Sequence, residues 1–262
     1  MLFVDDNGKM DTNRHQGKTA IVTGAGSGIG QATLLRLVAE GAIVTGCDVN
    51  AESLDATRVL LEKQKLTAEL VVADVTAQDD VDHLVGSLNG TLDILANVAG
   101  IMDHFVPLGE LQDDLWDRVI DVNLNGVMRL TRAVLPLMEK AGKGAIVTVS
   151  SEAALGAGAS GVSYTVSKNG VIGLVKHVAY FYGPKGIRSN CVLPGPVATG
   201  IGASASPESS WAMERASLKF ATMPPTPAEP DQIATVISWL ASEEASNVNG
   251  ALVTADGGWS AA

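Results

Sequence analysis

Short apolar runs alternate with longer amphipathic stretches from Lys18 onward. The runs Thr19–Val22, Ile43–Cys47, Leu70–Ala73, Leu92–Ala96, Ala145–Val149, Ile187–Leu193 and Leu252–Thr254 read as strands. Between them, Ile29–Glu40, Ala51–Lys65, Gln78–Leu88, Val162–Tyr182 and Asp231–Ala241 read as helices, Gly41 closing the first. Leu111–Met138 reads as one long helical stretch, bent near Asn123 and near Pro136. Continuously apolar strands alternating with helices predict a parallel sheet covered on both faces, a doubly wound α/β domain spanning residues 18–262. Ligands of such sheets bind beyond the carboxyl ends of the strands.

Two segments depart from the pattern. Gly200–Pro230 is rich in Ala, Ser and Pro, with Trp211, Met213, Leu218, Phe220 and Met223 scattered through it. It reads as an irregular loop, 200–230, covering a substrate site. Residues 1–17 hold Asp5, Asp6 and Asp11, lack an apolar run, and read as a flexible tail rather than a signal peptide.

Composition narrows the partners. The 262 residues carry a formal net charge of -11, which argues against nucleic acid and anionic membrane surfaces, both of which need basic patches. It leaves room for an anionic cofactor held by backbone N–H groups at a helix N-terminus. No apolar run reaches membrane-span length. Cys47 and Cys191 lie in strands without metal or disulfide spacing and read as buried thiols, which fits a cytoplasmic protein. His15, His83, His104 and His177 show no ligand spacing, so no metal is expected; they read as surface or helix residues, with His104 placed to face substrate only as a minor alternative.

The chemistry begins at Thr23-Gly24-Ala25-Gly26-Ser27-Gly28-Ile29-Gly30, between the first strand and the first helix. Glycines there permit a tight turn and close backbone approach to a pyrophosphate, and the following helix dipole favours negative charge. Gly24, Ser27, Gly28 and Ile29 are therefore candidate cofactor contacts. Asp48 ends the second strand, 18 residues after Gly30. A carboxylate there accepts from both adenosine-ribose hydroxyls and repels a 2′-phosphate, and no Lys or Arg adjoins it, so NAD is expected over NADP. The competing role is a cap on the Ala51 helix. Tyr164 and Lys168 stand four apart on a predicted helix and share a face. An ammonium near a phenol lowers its pKa from about 10, making Tyr164 a general acid/base.

Ser151 lies thirteen residues before Tyr164, with Ser150 out of that register. Thr-Gly-x-x-x-Gly-x-Gly, Ser151 and Tyr-x-x-x-Lys, in that order, resemble the short-chain dehydrogenase/reductase family, and the resemblance runs from Lys18 to Gly258. It implies a Rossmann-like single domain of about seven strands that moves a hydride between NAD(H) and a secondary alcohol or ketone. It implies that Ser151 binds the substrate oxygen, that Lys168 holds the nicotinamide ribose, and that Asn123 supports a water-linked proton relay. Asp74-Val75 would hold the adenine. Asn97-Val98-Ala99-Gly100 corresponds to a family motif in which Val98 is a departure, and Asn97, Ala99 and Gly100 would border the cofactor. Pro194-Gly195-Pro196-Val197-Ala198-Thr199 would hold the nicotinamide carboxamide through Val197 and Thr199, with Pro194 beside them. The resemblance further implies a homotetramer, with Asp256-Gly257-Gly258 near a subunit interface. Glu152 reads as a solvated loop acid, or as a contact to a polar substrate group.

Two rival readings stay open. A nucleotide-binding regulator could keep the fold without the chemistry, since fold alone does not fix function. A dehydratase or epimerase of the same fold is disfavoured, because only about 60 residues follow Thr199.

Overall fold

A computed structural model describes residues 13–88, 90–201 and 209–261. Seven parallel strands form one sheet: β1 (Thr19–Thr23), β2 (Ile43–Asp48), β3 (Glu69–Val72), β4 (Ile94–Asn97), β5 (Gly144–Val149), β6 (Ile187–Pro194) and β7 (Leu252–Ala255). Their spatial order is β3-β2-β1-β4-β5-β6-β7. The order reverses between β1 and β4, where Ile21 pairs with Leu95 on one side and Thr45 on the other. That reversal opens a crevice at the carboxyl edge.

The two-residue period of β1 divides the core. Ala20 and Val22 face a cluster that includes Leu34 and Leu37 of helix α1 (Gly28–Ala39), Leu54 of α2 (Ala51–Gln64) and Ile233 and Ile237 of α8 (Pro230–Ala241). Ile21 faces the other way, onto Val81 and Leu84 of α3 (Gln78–Gly86), Leu130 and Val134 of α5 (Val127–Ala141) and Val178 of α6 (Val162–Tyr182). Burial of Ile21 on this scale makes an Ile-to-Ala change there cost about 2–5 kcal/mol.

The strands match the sequence pattern within two residues, whereas three expectations are corrected. The long helix from Leu111 to Met138 is three pieces: α4 (Asp113–Ile120), a single π-helical segment (Asp121–Gly126), and α5. The bend expected at Asn123 is that π segment, and Pro136 sits inside α5 without ending it. The irregular segment 200–230 contains a helix, α7 (Ser210–Phe220). Its apolar residues point several ways, and Trp211 and Leu218 are exposed, so no single apolar stripe announces it. Residues 202–208 lie outside the described residues.

The expected tail is corrected at its last residues, its first twelve lying outside the described ones. His15 is 1% exposed, bonds Ser238 of α8 at 3.1 Å and lies 3.5 Å from Glu40. Arg14 pairs with Glu244 at 3.1 Å and Glu40 at 3.6 Å. This segment staples α1 to α8, and burial pushes the His15 imidazole down to about 4. His15 is therefore not a surface residue. Both cysteines are buried, and burial raises Cys47 to about 12 and Cys191 to about 11. Among the described residues, no helix is long and apolar enough to cross a membrane, and no cluster of His, Cys, Asp and Glu could hold a metal.

Candidate active site

The crevice is a cleft of about 570 Å³. Its nucleotide end is built from backbone. Thr23 Oγ1 accepts the N–H groups of Val98 (2.9 Å) and Ala99 (3.0 Å), tying the glycine loop to the loop after β4. Gly24 has φ +69°, and a Cβ there would stand 3.0 Å from Ala99 Cα. Gly28 has φ +51°, and a Cβ there would stand 2.9 Å from the Thr199 methyl. The N-cap of α1 is Ser27, which makes no side-chain cap, and the first turn holds no acid. The N–H donors of that turn are thus left to an anion. Gly24, Ser27, Gly28 and Ile29 all line the cleft.

Asp48 lies at the same end. Its carboxylate accepts from Gly26 N–H and Asn50 N–H, both at 3.0 Å. Helix α2 is capped by the Asn50 side chain, which accepts from Ser53 N–H at 3.0 Å, so Asp48 is not that cap. Asp74 Oδ1 accepts from the N–H and hydroxyl of Thr76, and Asp74 and Val75 border the cleft next to Ala99 and Gly100. Pro194, Val197 and Thr199 complete the wall, Thr199 standing against Gly28. Thr199 Oγ1 is buried with no hydrogen-bond partner among the described residues. A donor–acceptor hydroxyl in that state fits a polar ligand group such as a carboxamide. The open helix terminus, the glycine cradle, Asp48 and this hydroxyl together suit a dinucleotide.

Ser151, Tyr164 and Lys168 meet in the middle of the same cleft. Ser151 follows β5 and accepts from Ala153 N–H at 3.1 Å, and its hydroxyl acts to lower the Tyr164 pKa. Ser150 turns away and donates to Lys168 O at 2.7 Å. Lys168 donates to Val149 O at 3.0 Å, with its Nζ 5.5 Å from the Tyr164 ring centroid. The expected lowering of the phenol's pKa is reversed. Burial raises Tyr164 to about 12, the Ser151 hydrogen bond opposing it and the nearby Asp103 charge adding to it. Burial also lowers the Lys168 ammonium to about 8. Desolvation dominates both shifts because both side chains are buried.

Two expected site residues are not on the cleft wall. Asn97 is buried, its amide donating to Thr131 (3.2 Å) and Thr148 (3.5 Å) behind the sheet edge. Asn123, on the π segment, accepts from Ile101 N–H at 2.8 Å and donates to Ile101 O at 2.9 Å and Ser167 Oγ at 3.2 Å. Its side chain braces the loop after β4.

Sequence reasoning missed several residues here. Glu152 is 1% exposed, correcting the solvated-acid reading, and pairs with Lys219 of α7 at 2.6 Å. Lys219 also stands 4.8 Å over the Trp259 ring, and Trp259 donates to Lys219 O at 3.2 Å. At the other end of α7, Glu110 accepts from the Ser209 hydroxyl at 3.2 Å and from the Trp211 indole. Two carboxylates thus clamp α7, one near each end. Arg118 of α4 lines the cleft, while His104 does not. Asp103 is wholly buried against the start of α6. A lone loop acid carries no spacing signal, so only the fold reveals Asp103 and Glu152.

A family model described as enoyl-(acyl carrier protein) reductase matches residues 24–260. The chain belongs to the short-chain dehydrogenase/reductase family, and its class is an oxidoreductase. It is 39% identical to 3beta-hydroxysteroid dehydrogenase 2 of Eggerthella lenta over 249 residues, covering 94% of this chain and 95% of that one. Among solved structures it is similar to levodione reductase, with TM-score 0.87, 32% identity, and 95% and 100% of the two chains covered. It is likewise similar to a protein from Beutenbergia cavernae described as an NAD(P)-dependent gluconate 5-dehydrogenase, with NADP bound at low occupancy (TM-score 0.84, 32% identity, 94% and 98% covered).

Proposed function

We propose that this protein transfers a hydride between NAD(H) and a secondary alcohol or ketone, with Tyr164 as general acid/base. The observation that carries the reading is that Ser151, Tyr164 and Lys168 line one cleft with the glycine loop, Asp48 and the buried Thr199 hydroxyl. A bound nicotinamide would supply the hydride-exchanging carbon. Gly24, Ser27, Gly28 and Ile29 would hold its pyrophosphate, Asp48 the adenosine ribose, Asp74 and Val75 the adenine, and Val197 and Thr199 the carboxamide. Tyr164 donates its proton to a ketone oxygen, or accepts one from an alcohol. Ser151 hydrogen-bonds that oxygen and stabilises charge developing on it. Lys168 would hold the nicotinamide ribose, and Asn123 keeps the neighbouring loop in place.

With its phenol held above the ordinary tyrosine value, Tyr164 is protonated at neutral pH, the form that donates in reduction. Oxidation therefore accelerates as pH rises. NAD is favoured over NADP because Asp48 sits at the ribose position without an adjoining cation. The NADP seen in one structural relative makes this a point for direct measurement.

The substrate is a bulky apolar secondary alcohol or its ketone. Tyr164 is packed among Val119 and Ala153, with Ile101, Met102 and Leu115 alongside, and Phe105 meets Phe220 at 5.5 Å. The name of the Eggerthella lenta relative points the same way. A homotetramer is favoured by apolar residues left exposed on α6, among them Val166, Tyr180 and Phe181. The test is a panel of secondary alcohols, a 3β-hydroxysteroid included, offered with NAD and separately with NADP while NADH or NADPH absorbance is followed. Turnover with NAD supports the reading. Nicotinamide binding without turnover on any alcohol or ketone would favour the regulator instead.

A further inference from the structure

Helix α6 carries Tyr164 and Lys168, yet it lacks a cap of its own. Its N-cap residue is Gly161, which has no side chain to offer. The missing acceptor comes from a distant loop. Asp103, 0% exposed, accepts from Gly161 N–H (2.9 Å) and Phe105 N–H (3.3 Å) through Oδ1. Through Oδ2 it accepts from Tyr164 N–H (2.8 Å) and the Ser163 hydroxyl (3.0 Å). Gly161 is what admits it, since a Cβ there would stand 2.7 Å from both carboxylate oxygens and 2.5 Å from Val106 N. The loop that delivers Asp103 is strained: His104 and Phe105 have φ of +56° and +58°, a conformation that L residues rarely hold. Val162 N–H closes the joint by donating to Val106 O at 3.1 Å.

We propose that Asp103 is a positioning residue for Tyr164, its buried carboxylate capping the catalytic helix from the β4 loop and fixing where the phenol stands. The inference rests on the hydride-transfer reading above. Four donors divided two and two between the oxygens explain why a carboxylate is used. An Asn side chain would turn an NH₂ group towards two donors and lose one pair. The strained loop also carries Phe105 onto Phe220 of α7 at 5.5 Å. The same carboxylate therefore sets the phenol and one contact of the covering helix.

The groups around Tyr164 give the role a distinctive signature. Asp103 from the β4 loop and Lys168 from its own helix are the charges against it, and Ser151 from the β5 loop is a neutral partner. From α4, Leu115 and Val119 are apolar neighbours, while Arg118 lines the same cleft. The Asp103 charge disfavours phenolate, so its removal shifts the pH midpoint of alcohol oxidation downward.

The experiment compares wild type, Asp103→Asn and Ser163→Ala, using the secondary alcohol that wild type oxidises best. It measures kcat, its pH profile, and NADH Kd by fluorescence. For Asp103→Asn we expect kcat to fall about tenfold or more, the usual scale for a misplaced catalytic group. NADH Kd should stay within about twofold, and the midpoint should move to lower pH. Ser163→Ala keeps the charge and removes one donor that offsets it, so its midpoint moves the opposite way. It supplies the answer where Asp103→Asn fails to fold. Near-wild-type kcat with an unmoved midpoint in the folded variants would overturn the inference, as would kcat and NADH binding falling in parallel. A wild type that oxidises no alcohol and reduces no ketone defeats the hydride-transfer reading itself, and the two failures are thereby distinguishable.

Discussion

The two ends of the cleft are built by different means. The nucleotide end consists of backbone and local turns: a glycine loop, an open helix terminus and a strand-end acid, all within β1 to β2. The side that the proposed function gives to substrate is assembled from side chains far apart in sequence: Asp103 bonds the start of α6, Glu152 pairs with α7, and His104 and Phe105 take positive φ between them. Backbone suits a cofactor part that varies little, because its donors need no side-chain ordering. Buried carboxylates at the other end hold loops through side-chain partners, at the cost of desolvating each charge. The difference predicts that damage at one end leaves the other working.

The largest separation comes from Gly28→Val. Its φ is +51° and the new side chain would meet Thr199, so NADH affinity should drop by about 100-fold or more, with thermal stability lowered only by the local strain of about 1–3 kcal/mol. Comparable losses of NADH affinity and Tm would break the comparison. Next is Asp48→Ala, which on the proposed reading removes both the ribose acceptor and the repulsion of a 2′-phosphate. The NAD-to-NADP ratio of kcat/KM should narrow by about 1–3 kcal/mol, roughly 5- to 150-fold. An unchanged ratio would show that Asp48 does not read the ribose.

Lys219→Ala tests the other end. It releases the clamp from Glu152 to α7, and KM for the alcohol should rise by about tenfold with NADH Kd preserved. A fall in NADH affinity of equal size would mean that the ends are coupled. The smallest effect concerns the staple beneath the nucleotide end. His15 is held neutral with a pKa of about 4 against the ordinary 6.5, so the unfolded chain binds more protons between those values. This contribution to stability is complete above about pH 6.5 and is lost as pH falls toward 4. The loss is about 1 kcal/mol by pH 6. His15→Asn should flatten that part of the stability–pH curve, as urea unfolding at several pH values would reveal.

The same contrast explains what could be read without coordinates. Strand runs and the glycine loop were legible because their signals are local: periodicity over a few residues, and glycines where backbone must approach a ligand. Tyr164 and Lys168 were legible because four residues on a helix fix a shared face. The break at Asp121–Gly126 was blurred because a π segment barely disturbs apolar spacing while turning Asn123 toward Ile101. Helix α7 was hidden by apolar residues spread around its circumference. Asp103 and Glu152 were unreadable for a different reason. Acids in loops are mostly solvated, and these two find their partners 61 and 67 residues further along the chain. The raised Tyr164 pKa also escaped, since the i, i+4 spacing announces the cation but not the burial that outweighs it.

The central claim is that Tyr164 carries the proton in a reaction whose cofactor is bound by other residues. Tyr164→Phe keeps the buried ring and removes only the hydroxyl. Steady-state turnover and NADH binding measured together on this one variant test the claim most directly. Turnover should fall by about 10²–10⁴-fold, the usual worth of a general acid/base, with NADH Kd unchanged, because the Gly24–Gly30 loop and Asp48 are untouched. Near-full turnover in Tyr164→Phe would place the proton on another group and contradict the mechanism.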